Sequence, residues 1–136
     1  MECLFCKIIR GEIPALKVFE NAQVVAFLDI HPINPGHTLV VPKGHYTNLL
    51  ETPDEVIGEV MQNVKVVAEA AMKAVGASAF NLGVNTGVEA GQVIMHTHFH
   101  VMPRFANDGH VHWAKKEMGK EEMEKVAMDI RDALGA

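Results

Sequence analysis

Leu16-Lys17-Val18-Phe19-Glu20 alternates apolar and polar residues, the period of two that a half-buried strand requires. Asn21-Ala22-Gln23 reads as a turn, and Val24 to Asp29 as the returning strand. Two prolines and a glycine make residues 31–36 a loop, after which His37 to Val41 form a third strand ended by Pro42. From Thr52 the period changes to that of a helix. Thr52 is the expected N-cap, Pro53 takes the first helical position, and Glu55 completes a capping box. Val60, Val64, Val67, Ala71 and Val75 recur at helical spacing until Gly76 stops the run. Ala79 to Asn85 reads as a fourth strand and Thr86 to Ala90 as a loop. Alternation returns in Gly91-Gln92-Val93-Ile94-Met95-His96-Thr97-His98-Phe99-His100-Val101-Met102-Pro103-Arg104, a fifth strand. Residues 3–11 suit a short helix or turn, and Glu121 to Leu134 a C-terminal helix with Met123, Val126, Ile130 and Leu134 on one side. The expected class is α+β: an antiparallel sheet of about five strands, one long helix packed on it, and a C-terminal helix.

The fifth strand also holds the chemistry. On a strand, His96, His98 and His100 project from one face and Thr97, Phe99 and Val101 from the other, into a core. A row of imidazoles on a rigid support can act as nucleophile, base, acid or metal ligand near neutral pH. A catalytic metal site of the His-x-His-x-His kind, as in small β-barrel oxygenases, calls for a nearly all-β fold and a carboxylate soon after the histidines. The helix from Pro53 to Val75 and the lack of acids between His96 and Asn107 argue against it.

Composition narrows the classes further. The 136 residues suit one domain, with a core motif region over 3–104 and a tail over 105–136. Half the chain is hydrophobic, too much for a disordered segment. No apolar run reaches the roughly 18 residues of a membrane span, and Met1-Glu2-Cys3 opens no signal peptide, so a cytoplasmic location is expected. A formal net charge of −5 disfavours a nucleic-acid polymer but leaves room for a single nucleotide. Cys3 and Cys6 read as metal ligands or a redox pair rather than a structural disulfide. No strand precedes them, which weakens the redox reading. They supply two of zinc's four ligands, with His45 and His96 as candidates for the others, the alternative being two unligated thiols. Asp29 suits a turn cap, Asn85 a turn before Thr86-Gly87, and His37 a polar strand start. His110 and His112 lie in an Asn-Asp-Gly loop, exposed or at a substrate edge.

His96-Thr97-His98-Phe99-His100-Val101-Met102 resembles the His-φ-His-φ-His-φ-φ signature of the histidine triad (HIT) nucleotide-binding family. Phe5-Cys6-Lys7-Ile8-Ile9 with Gly11-Glu12-Ile13-Pro14, Ala26-Phe27-Leu28-Asp29-Ile30 and Pro35-Gly36-His37-Thr38-Leu39-Val40-Val41-Pro42-Lys43 look like the family's other blocks, in its order. The resemblance implies an enzyme that cleaves nucleoside phosphoramidates or related nucleotide conjugates at the α-phosphate through a nucleotidyl-histidine. A dinucleoside polyphosphate hydrolase is the alternative, since Met102-Pro103-Arg104 is similar to that branch too; a nucleotide-binding sensor or adaptor with little turnover is another. It implies that His98 is the nucleophile, that His100 donates to the phosphate or bridging atom, and that His96 supports the row with His37. It implies that Phe5, Ile8, Phe27 and Ile30 line the base pocket, that Asp29 takes the ribose hydroxyls, and that Asn85, Gly91 and Gln92 serve the phosphate. Val93 stands where the family often has Ser or Thr, and it cannot donate a hydrogen bond. The resemblance also implies an AMP-type purine nucleotide ligand, no cofactor for the chemistry, and a structural zinc on Cys3, Cys6, His45 and His96. A homodimer would pair through the long helix and the triad-side strand, with Trp113 packing across it.

Overall fold

The computed structural model describes residues 3–135. In chain order it contains α1 (Leu4–Ile9), β1 (Lys17–Glu20), β2 (Val24–Leu28), β3 (Thr38–Pro42), α2 (Asp54–Val75), β4 (Ala79–Gly83), β5 (Phe99–Arg104) and α3 (Lys120–Ala133), with short 3-10 turns at Leu49–Glu51 and Val88–Ala90. The strands form one antiparallel sheet in the order β1-β2-β3-β5-β4. This is the expected α+β class. Asn21 makes the β1–β2 turn, its Oδ1 accepting from the amides of Gln23 and Val24, as Asn does in tight turns.

Both faces of the sheet are covered, which is why β2 and β3 are apolar throughout rather than alternating. Val24, Ala26, Val40, Phe99 and Val101 point to one face and pack on Val60, Val64, Val67 and Ala68 of α2. Val25, Phe27, Leu39 and Val41 point to the other and pack on Cys3, Phe5 and Ile8 around α1. Since Phe99 and Val101 face α2, the strand pleat sends His98 and His100 to the α1 face. Burial of aliphatic side chains at about 25 cal/mol per Å² drives both packings. Gly36 is fixed by packing as well as by its φ of 87°: an added Cβ would lie 3.0 Å from Pro103 and 3.2 Å from Val75.

Two expectations are corrected. Regular β5 begins only at Phe99; His96, Thr97 and His98 precede it in an irregular segment, with the Thr97 amide bonded to Tyr46 O across 2.8 Å. His96, Thr97 and His98 are all buried, His96 beside the Cys3 thiol and Thr97 on the Thr52 hydroxyl. Thr52 is not a side-chain cap either. The helix starts at Asp54 with Pro53 in the cap position, and the Thr52 hydroxyl instead meets Asn48 O at 2.8 Å and Thr97 Oγ1 at 2.7 Å. Burial beside Thr97 removes the hydroxyl from the helix end, leaving Asp54 and Glu55 to complement the helix dipole. Gly76 ends α2 in the left-handed conformation, as expected. Among the described residues, no helix is long and apolar enough to cross a membrane.

Candidate functional site

The three histidines do not form one uniform row. The Phe5 ring stands edge-on to His96 at 5.9 Å between centroids and to His98 at 5.0 Å. His98 and His100 are neighbours at 5.0 Å, whereas His96 faces His45 at 5.0 Å. The row therefore divides into a pair at a cleft and a separate His96 cluster.

The cleft has a volume of about 490 Å³. Phe5, Ile8, Phe27, Asp29, Ile30, Asn85, Gly91, Val93, His98 and His100 all line it. Leu4, Leu39 and Ile94 line it too and carried no sequence signal beyond apolarity. Gln92 does not belong to this lining, contrary to expectation. Its Nε2 donates to Thr47 O and Ile94 O, and its Oε1 accepts from the Gly87 amide. Those bonds occupy the amide internally and tie the loop before the triad to the segment after Pro42. Gly91 is required by its φ of 97°; a Cβ there would make only ordinary contact, 3.6 Å from Asn85 Nδ2.

The ring nitrogens can be assigned from unambiguous partners. His98 Nδ1 lies 2.7 Å from His96 O. A carbonyl only accepts, so Nδ1 carries the proton and Nε2 keeps its lone pair. The Ile33 amide donates to His37 Nδ1 at 3.1 Å, so neutral His37 is protonated on Nε2. That nitrogen lies 2.9 Å from His100 Nδ1 and donates to it. Neutral His100 then holds its own proton on Nε2. Asp29 completes the relay: Oδ1 accepts from the His31 amide at 2.8 Å, as a turn cap would, and Oδ2 lies 3.4 Å from His37 Nε2 and 3.8 Å from His100 Nδ1. His37 thus supports His100, while His96 bonds elsewhere, through Nε2 to Pro42 O. Asp29, His37 and His100 are close enough to hold a cation. The Ile33 amide bond on His37 Nδ1 opposes it, because it leaves the proton on the nitrogen that would have to ligate.

Burial pushes the pKa values of His37, His96 and His98 below the usual imidazole value. His100 is pushed down to about 4, by burial first and then by His98 and His37. All four are neutral at pH 7. The stability consequence follows from the sign. His37 and His100 bind protons less readily folded than unfolded, so their contribution is full above about pH 6.5 and is lost as pH falls below it, for His100 toward about 4. Urea unfolding at pH 7 and pH 4.5 should show a lower midpoint in acid, and a smaller drop for His37→Gln. An equal drop in wild type and variant would contradict this assignment.

The second cluster lies behind Phe5. Cys3 Sγ is 3.4 Å from His96 Nδ1, Cys6 Sγ is 3.4 Å from His45 Nδ1 and 3.6 Å from His96 Nδ1, and the two Nδ1 atoms are 3.2 Å apart. Tetrahedral zinc with its usual bond lengths sets ligand atoms roughly 3.3–3.8 Å apart. His96 Nε2 donates to Pro42 O at 2.8 Å, which leaves Nδ1 unprotonated and aimed at the cysteines. That bond is the outer partner that zinc-ligating histidines require. Burial, and then the neighbouring Cys3 thiol, push the Cys6 thiol above its ordinary pKa, a cost that a cation would remove. Both cysteines are unpaired thiols. The donor set therefore fits zinc.

In the tail, His110 Nε2 donates to Ile33 O at 2.8 Å, while Trp113 is 91% exposed in the single chain.

The HIT domain family profile matches residues 10–107. The chain is 43% identical to adenylylsulfatase HINT3 of Arabidopsis thaliana over 122 residues, 90% of this chain and 61% of that protein, so it spans less than two thirds of that relative. It is 38% identical to adenosine 5'-monophosphoramidase hnt1 of Schizosaccharomyces pombe over 137 residues, covering 98% of this chain and 99% of that one. A zinc-bound histidine triad family protein from Mycobacterium smegmatis superposes with a TM-score of 0.78 at 33% identity, over 98% of each chain. The cleft histidines, their Cys-His neighbour and the matched span together make this chain a member of the HIT family.

Proposed function

We propose that the protein hydrolyses nucleoside phosphoramidates or related nucleotide conjugates at the α-phosphate. The observation that carries this reading is His98: a buried, neutral imidazole whose proton is committed to His96 O, leaving Nε2 free at the cleft. In the first step the Nε2–phosphorus bond forms and the bond from phosphorus to the leaving atom breaks. The Nδ1–H bond to His96 O stabilises the positive charge that develops on His98. The leaving atom takes the electron pair and a proton from His100 Nε2. An anionic phosphate in the cleft favours protonated His100; its added proton sits on Nδ1, so His37 Nε2–H no longer donates there and both N–H groups turn to Asp29 Oδ2, 3.4 Å from His37 Nε2 and 3.8 Å from His100 Nδ1. Water then attacks phosphorus, its proton passes to His100, and the His98–phosphorus pair returns to Nε2.

Phe5, Ile8, Phe27 and Ile30 offer apolar surface for a purine, and Asp29 faces the same cleft to meet the ribose. Asn85 and the backbone at Gly91 serve the phosphoryl oxygens. Val93, 82% exposed, adds bulk and no donor beside the leaving group. Zinc on Cys3, Cys6, His45 and His96 would be structural, since four protein ligands close its coordination; the zinc-bound relative from Mycobacterium smegmatis and this donor set support it. We also assign a homodimer through α2 and the free edge of β4, where Phe80 and Leu82 are partly exposed. β5 itself is interior and offers no edge. A monomer mass by sedimentation would contradict the dimer.

Release of AMP from an adenosine phosphoramidate tests the activity. Steady turnover is expected. Tight nucleotide binding without turnover of any conjugate, diadenosine polyphosphates included, would favour a sensor.

A further inference from the structure

Residues of the tail grip the loop that feeds the His37–His100 relay. Asn107 turns the chain back with a φ of 59°, and Asp108 follows with its side chain only 6% exposed. The Asp108 carboxylate accepts from Arg104 Nε at 2.8 Å and Nη2 at 3.2 Å, from the amides of Phe105 and His110 at 3.1 Å each, and from Asn34 Nδ2 at 3.0 Å. These bonds hold it well below the usual carboxylate range, the Arg104 guanidinium first among them. Asn34 Nδ2 also reaches Pro103 O at 2.9 Å, at the end of β5. His110, set by that carboxylate, donates from Nε2 to Ile33 O at 2.8 Å. Ile33 is thus held at both ends: its carbonyl by the tail, its amide on His37 Nδ1.

We propose that Asp108 and His110 are positioning residues for the reaction: by holding Ile33 and Asn34 they keep the Ile33 amide on His37, and so keep the proton of neutral His100 on Nε2, facing the cleft. Without the clasp, His37 is free to carry its proton on either nitrogen. His100 then loses the fixed donor that sets its own tautomer. Asp108 is the buried anchor and His110 the direct contact. The hydrogen bonds of Asp108 and His110 go to Arg104, Phe105, Asn34 and Ile33 and to each other, none of them a lining residue of the cleft. The inference rests on reading the cleft as the reaction site.

The test compares wild type with His110→Ala, His110→Gln and Asp108→Asn. The ring nitrogens of His37 and His100 are read by 15N NMR on the resting protein, and kcat and KM on an adenosine phosphoramidate. In wild type, His37 Nδ1 should give an acceptor-type signal and Nε2 a protonated one. His110→Ala and Asp108→Asn should mix the two tautomers and lower kcat about tenfold to a hundredfold, with KM nearly unchanged, since a misplacement of about 1 Å at reacting groups can cost roughly a hundredfold. His110→Gln, which keeps a donor, should restore both readouts. Wild-type ring signals in folded His110→Ala would overturn the proposal, as would a lower melting temperature with unchanged kcat. Should Asp108→Asn fail to fold, His110→Ala decides alone. Should wild type itself show no turnover, the hydrolase reading fails while the ring-nitrogen comparison still decides the clasp.

Discussion

His98→Ala should lower kcat by on the order of 10^4- to 10^6-fold, the range seen when single members of a nucleophilic catalytic set are removed, with nucleotide still bound. The cleft walls explain the retained binding. Phe5, Ile8, Phe27 and Ile30 supply its apolar surface, and Phe5, Ile8 and Phe27 are also held by packing on Val25, Leu39 and Val41. His98 is buried against Phe5, so truncation leaves a small cavity and costs some stability. Melting temperature must therefore be measured beside kcat. A folded variant with wild-type turnover would remove His98 from the mechanism. Loss of nucleotide binding together with turnover would move its role from reaction to pocket.

Removal of zinc should have the second large effect, on stability rather than on a chemical step. Metal present at a thousandfold over its dissociation constant stabilises by about 4 kcal/mol, which for a chain of this size is a melting shift on the order of 10 °C. Wild-type protein is expected to contain one zinc per chain, and chelation or Cys3→Ser should remove both the metal and that shift. Cys6→Ser and His45→Ala should behave alike, because all four donors converge. Metal-free wild type with the same melting temperature as protein incubated with zinc would show that the cluster is only a set of buried thiols and imidazoles.

Much of the architecture was legible in the sequence for physical reasons. The helix period from Val56 to Val75 predicts α2, and the left-handed Gly76 ends it as a glycine there should. The unbroken apolar runs of β2 and β3 predict strands, but not that α1 covers their second face; six residues of α1 are too few for a periodic signal. The alternating histidines predict a single face, yet regular pairing starts only at Phe99. The tie from the Thr97 amide to Tyr46 O is a backbone contact between distant segments, which no residue type encodes. Asp29, His98 and His100 were readable because carboxylates and imidazoles carry chemistry in their side chains. The groups that set their protons, Ile33 N, Pro42 O and His96 O, are backbone atoms and leave no mark in composition. Gln92 misleads for the converse reason. A side-chain amide reads as a phosphate donor until its partners are seen to lie inside.

The most direct measurement is to quench wild-type protein during turnover of an adenosine phosphoramidate, then locate the adenylyl group by peptide mass spectrometry under alkaline conditions, where a phosphorus–nitrogen bond to histidine survives. An adduct on His98, absent from His98→Ala, is the result predicted. An adduct on another residue, or AMP release with none trapped at any time point, would contradict His98 as the nucleophile.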